Sequence, residues 1–142
     1  MSALELPPTT DSVPLARRFA RSALRESTWD VDTVVLLVSE VVTNAVLHAR
    51  SAIVVRVEDR RDVVHVEVED GSPVPPRMHH FARSSATGRG LRLLDRLAAA
   101  WGVEPDAPGG GKVVWFEVGA ASEAMWESYA DDLLAEGVHG EL

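Results

Sequence analysis

Apolar positions along this chain change period several times, and each change marks an element. Residues 1–12 include two prolines and no sustained period, so they read as an extended lead-in with one edge strand. Beyond it, Leu15, Phe19, Ala23 and Leu24 fall on one side of a helix, and Arg17, Arg18, Arg21 and Arg25 on the other. Ser12 is placed to cap this helix, Pro14 suits its first turn, and it is expected to end near Ser27. Asp30 then caps a second helix running to about Ala49. Here Val34, Val35, Leu37, Val38, Val41, Val42, Ala45 and Val46 cover most of the circumference, the pattern of a buried helix. Glu40, Asn44 and His48 interrupt that pattern at four-residue intervals, which lines them up as one polar stripe.

The period next shortens to two. Ile53, Val55 and Val57 alternate with Arg56 and Glu58, and Val64, Val66 and Val68 with His65, Glu67 and Glu69. The charged turn Asp59-Arg60-Arg61-Asp62 joins them, which reads as an antiparallel hairpin. The second strand ends in Asp70-Gly71-Ser72-Pro73, and a loop extends to about Thr87, long enough to suggest function or mobility. Thr87-Gly88-Arg89-Gly90 opens a third helix with Leu91, Leu94, Leu97 and Ala98 on its apolar side. A short strand at Trp101-Gly102-Val103-Glu104, a turn at Gly109-Gly110-Gly111 and a final strand from Lys112 to Gly119 follow; Trp101, Trp115 and Phe116 are expected to fill the core. Ser122 caps a last, acidic helix whose apolar side is Met125, Trp126, Tyr129, Leu133 and Leu134. The order fits an α/β (α+β) two-layer sandwich: a mixed, largely antiparallel sheet with helices on one face. The expected organisation is an extended segment at 1–12, one domain at 13–119, and the acidic helix within 120–142, either part of that domain or a partner surface.

A buried carboxylate is costly unless something compensates it, so the stripe on the second helix calls for a reason. Taken alone, Glu40 and Asn44 fit the wet side of an amphipathic helix, and an isolated E-x-x-x-N is most often that. Three other features shift the balance: Asp70-Gly71 at a strand end, Gly88-Arg89-Gly90 at a helix start, and the glycine run before the last strand. A helix N-terminus approached by glycines offers N–H groups and a positive dipole end to phosphate. An Asn carbonyl suits a hard divalent cation, a neighbouring carboxylate can take a proton from an attacking hydroxyl, and an Asp at a strand end can accept from an exocyclic amine.

Together these features resemble the Bergerat-fold (GHKL) ATPase superfamily, which includes the histidine kinases, and within it the branch of short anti-sigma-factor serine/threonine kinases. The likeness runs from about Pro14 to Val118. Glu40-Val-Val-Thr-Asn44-Ala-Val-Leu-His48 is similar to the N box, Asp70-Gly71-Ser72 to the first glycine box, and Gly88-Arg89-Gly90-Leu91 to the second. The resemblance implies ATP and Mg²⁺ as cofactors, with Asn44 on the Mg²⁺ and Glu40 as catalytic base. It further implies that Asp70 and Gly71 hold the adenine end, and that Gly88, Arg89, Gly90 and Leu91 close over the phosphates at the hinge of a lid. The implied partners are a sigma factor and an anti-anti-sigma (STAS-type) protein bearing the acceptor serine, and a homodimer is allowed. An alternative is a catalytically weak or inactive module of the same fold that sequesters a sigma or regulatory protein; a third reading is a detached histidine-kinase catalytic domain needing a separate phosphoacceptor chain. Two departures bear on the choice. The family's D-x-G-x-G is replaced by Asp70-Gly71-Ser72-Pro73-Val74, and Lys112 or Val113 stands where a water-holding Thr supports adenine.

Composition narrows the picture further. The 142 residues are 46% hydrophobic and 25% charged, which argues for a folded domain with a sizeable core. With no cysteine, disulfides, zinc–thiolate sites and thiol catalysis are excluded. The net charge of -8 lies mainly in residues 121–142, whose six acids meet no Lys or Arg. The rest is near neutral, so no direct nucleic-acid binding is expected. No apolar run reaches the roughly 20 residues of a bilayer span and no signal-peptide core is seen, so the expectation is a cytoplasmic protein without a membrane. His48, His79 and His80 lack metal-ligand spacing, and the loop arginines Arg77 and Arg83 read as solvated, leaving Arg89 as the phosphate-end candidate.

Overall fold

The structure, a computed structural model, describes residues 1–25, 30–48, 50–72, 86–105 and 110–119, with only the backbone described over 86–91. In chain order the elements are β1 (Ser2–Leu6), α1 (Ser12–Ala23), α2 (Val31–His48), β2 (Ile53–Asp59), β3 (Val63–Asp70), α3 (Ala86–Leu97), β4 (Ala100–Pro105) and β5 (Lys112–Gly119). The strands form one sheet in the order β1-β2-β3-β5-β4. Every pairing is antiparallel, so the expected two-layer α+β fold is present with a sheet that is wholly, not only largely, antiparallel.

Period-2 alternation decides the layering. Ile53, Val55 and Val57, then Val64, Val66 and Val68, then Val114, Phe116 and Val118 are all buried on one face. The helices cover that face. α2 lies over β2, β3 and β5, flanked by α1 on the β1–β2 side and by α3 on the β4 side. By length and composition alone α2 could cross a membrane, but more than half of it is buried against the rest of the chain, as befits a core helix. The opposite sheet face carries cross-strand charges. Arg56 pairs with Glu69 at 3.0 Å, and His65 places its two ring nitrogens 2.8 Å from Glu117 and 2.9 Å from Glu67.

Several sequence-based placements are corrected. Ser12 does not cap α1: it is the first helical residue, and its hydroxyl donates to the Pro7 carbonyl at 2.5 Å, tying the helix to the exit of β1. On α1 the fully buried residues are Ser12, Ala16 and Ala20, continued by the expected Leu24 just past its end; Phe19 and Ala23 pack against the core as expected, whereas Leu15 is exposed. Small residues occupy the fully buried positions because α1 packs directly on α2. The helix stops at Ala23, short of Ser27. Trp115 lies on the outer face and stacks on His65 with ring centroids 5.9 Å apart. Phe116 takes the core position, and Trp101 packs at the core's edge with its indole N–H on Asp95 at 2.7 Å. The long loop after Ser72 and the acidic C-terminal helix lie outside the described residues.

Candidate functional site

The site begins with α2. Asp30 caps it as expected: one carboxylate oxygen accepts from the Thr33 N–H at 3.2 Å and the other from the Thr33 hydroxyl at 2.6 Å. That start fixes the rotation of the whole helix. Valines and leucines turn into the core, and Glu40 and Asn44 turn in with them, 7% and 8% exposed. The third member of the stripe, His48, is exposed at the helix end. So the stripe is buried along its middle and wet at its exit.

The second part of the site is the junction of three strand ends. Val64, Val66, Val68 and Asp70 share one face of β3, so the apolar run ends in a buried carboxylate. Directly opposite, in the β3–β5 register, stands Lys112. Lys112 Nζ is 3.0 Å from Asp70 Oδ1, with side-chain exposures of 7% and 2%. The same oxygen accepts the Ser72 N–H at 2.8 Å. Two glycines let these ends approach. A Cβ on Gly111 would stand 1.8 Å from the Asp70 carbonyl oxygen, an impossible distance, and one on Gly71 would stand 2.8 Å from Ser51 Oγ. Gly71 instead donates its N–H to Ser51 Oγ at 2.7 Å. Ser51 lies three residues past α2, so this bond ties the Asp70–Gly71 corner to the exit of the striped helix.

Gly88, Arg89, Gly90 and Leu91 fall in the first two turns of α3, which packs against α2. Their helical placement matches the sequence reading, and it brings a helix N-terminus to the helical layer that contains Glu40 and Asn44. The side chains of Arg89 and Leu91 lie outside the described residues, as do His79, His80, Arg77 and Arg83. No group of three or more His, Asp or Glu suited to a metal occurs among the described residues. A Mg²⁺ held with nucleotide needs no such cage, because one or two protein oxygens plus phosphate and water complete its shell. A buried carboxylate and a carboxamide four residues apart are hard oxygen donors of that kind, so the residues present fit the ion.

The sequence reading noted Lys112 only as one of two residues standing where a Thr would support adenine, and missed its burial and its pairing with Asp70. The signal lay in its phase: Lys112, Val114, Phe116 and Val118 share a parity, so a strand beginning at 112 sends the lysine inward.

A five-stranded antiparallel sheet with helices on one face is the α+β fold of a histidine-kinase-type ATPase domain. The family model for the histidine kinase-like ATPase domain matches residues 6–118, most of the chain, and the chain belongs to that family. Among solved structures it is similar to the histidine kinase domain of the blue-light activated histidine kinase from Erythrobacter litoralis EL346, with 28% identity and a TM-score of 0.48. That likeness covers 63% of this chain and 44% of the other, so the chain spans under half of that domain. A search of curated proteins gives no match.

Proposed function

We propose that this chain binds Mg-ATP and acts as an anti-sigma-factor-type regulator, a serine/threonine kinase whose substrate is a serine of an anti-anti-sigma (STAS-type) partner. The observation that carries this reading is the buried Glu40–Asn44 pair on α2, tied through Ser51 to the Asp70 corner. Nothing in the packing of an ordinary core helix calls for two polar side chains at consecutive turns of its buried side. In this reading Asn44 and Glu40 face the metal and phosphate end. Glu40 accepts the proton of the attacking serine hydroxyl, Asp70 holds the exocyclic amine of the base, and the start of α3 receives phosphate at its N–H groups. Bound Mg²⁺ supplies charge neutralisation at the phosphates. The near-neutral charge outside the C-terminal acids supports a protein partner over nucleic acid, with a cytoplasmic sigma factor as the second partner.

Calorimetry with Mg-ATP tests the reading. Binding in the micromolar to low millimolar range is expected, and no heat at millimolar ATP overturns it. Asn44→Ala should lose the Mg²⁺ dependence of binding, whereas Glu40→Ala should keep binding and lose phosphotransfer. An active Glu40→Ala protein would remove that residue as the base.

The second reading, a sequestering module without turnover, is favoured by Ser72-Pro73-Val74 in place of the glycines and by the Ser72 N–H closing back on Asp70 at 2.8 Å. A partner that binds tightly and never gains phosphate from labelled ATP would select it.

A further inference from the structure

We propose that Lys112 is a direct reader of the nucleotide base, donating to adenine N1 while Asp70 accepts from the exocyclic amine. The proposal rests on the ATP-binding reading and assigns the base end of that site. Its first support is burial. Asp70 and Lys112 are 4% and 6% exposed, face each other across the β3–β5 register, and lie on the sheet face that α2 covers. An ammonium placed there loses its hydration, and one carboxylate offsets that loss only in part. A hydrophobic residue of the same size would fill the space at lower cost, so stability does not account for a lysine.

The second support is the count of donors and acceptors. An ammonium has three protons. Among the described residues one meets Asp70 Oδ1 at 3.0 Å and one meets the Ser72 carbonyl at 3.5 Å, the limit of a hydrogen bond. The third meets no acceptor there. Asp70 Oδ1 holds both the Ser72 N–H and Lys112, and Oδ2 takes no hydrogen bond among the described residues. The pair thus keeps one acceptor and one donor side by side at the end of the strand.

Base chemistry gives that order a meaning. On the pairing edge of adenine, an amine donor lies beside a ring nitrogen acceptor. Guanine and hypoxanthine reverse the order, with a carbonyl acceptor beside an N–H donor. A carboxylate alone accepts from either kind of base. Adding a fixed ammonium beside it rejects the reversed order, since guanine would set its carbonyl against Asp70 and its N–H against Lys112. Lys112 therefore supplies discrimination that Asp70 lacks.

The test is calorimetry on the full chain with Mg-ATP, Mg-1-deaza-ATP (a C–H in place of N1) and Mg-GTP. The wild-type chain should bind ATP on the order of tenfold or more tighter than 1-deaza-ATP, the ratio expected for one hydrogen bond from a charged donor. Lys112→Met should bind ATP and 1-deaza-ATP alike and narrow the gap to GTP. Equal binding of ATP and 1-deaza-ATP by the wild-type chain overturns the role of Lys112 and leaves ATP binding standing. No binding of ATP at all overturns the ATP reading and this assignment with it. Should Lys112→Met fail to fold, the wild-type ratio still decides. A folded Lys112→Met that keeps the full ratio refutes the proposal.

Discussion

A charge pair sealed between two strand ends is expensive to break and cheap to replace. Removing either Asp70 or Lys112 strands the other in a site under 10% exposed, a loss of about 3–5 kcal/mol for a buried pair. Asp70→Ala should therefore destabilise the fold by an amount in that range in urea titration. The double variant Asp70→Asn, Lys112→Met should recover most of it, because no buried charge then remains. A double variant no more stable than Asp70→Ala would mean that the pair is not an isolated electrostatic unit. Gly111→Ala is a different case, since its Cβ would meet backbone that cannot rotate away. Overpacking there should cost about 3 kcal/mol, at the upper end of the usual range, and lower the urea midpoint without changing the slope. At this scale the sequence was readable where spacing is local. Glu40 and Asn44 announce themselves at i and i+4 within one helix. The partnership of Asp70 with Lys112 spans 42 positions, and only strand register reveals it.

Helix ends and helix faces decide the elements. Asp30 was legible as a cap because it directly precedes a long apolar run. Asp30→Ala should cost about 1 kcal/mol, measured by thermal or chemical unfolding, through loss of the bond to the Thr33 N–H. The start of α1 was misread because Asp11 and Ser12 are both good capping residues, and the tether of Ser12 to Pro7 is a tertiary choice. Its buried side was read only in part, for a related reason. Leu24 is buried and Phe19 and Ala23 pack against the core as read, but contact with α2 turns the small Ala16 and Ala20 inward and leaves Leu15 exposed. Ala20→Leu, at a position with no exposure, should destabilise by about 1–3 kcal/mol, while Leu15→Ala, on an exposed residue, should leave the unfolding midpoint nearly unchanged. Reversal of that ranking would refute the assigned face.

For the whole molecule, the outer sheet face carries half-buried ion pairs and, at its edge, the more exposed Glu58–Arg60 pair, which contributes little at neutral pH. The Arg60 side-chain hydrogen bond holds the Glu58 carboxyl below its ordinary value of 4.5. A carboxyl with a lower pKa when folded stabilises above the unfolded value, and that contribution fades as pH falls through the folded one. Glu58→Gln should accordingly lower the melting midpoint slightly near pH 7, with the two proteins converging as pH falls below about 4.5. The position of β5 has a wider consequence. The last strand among the described residues is an interior strand of the sheet, between β3 and β4. During synthesis the β2–β3 hairpin must wait with one edge of β3 bare until residues 112–119 have left the ribosome. Until then it is open to pairing with another chain. Insertion of β5 closes that edge and delivers Lys112 to Asp70 in the same event, so the proposed base end of the site is not assembled before β5 is in place. Nucleotide bound there would reward only the finished sheet.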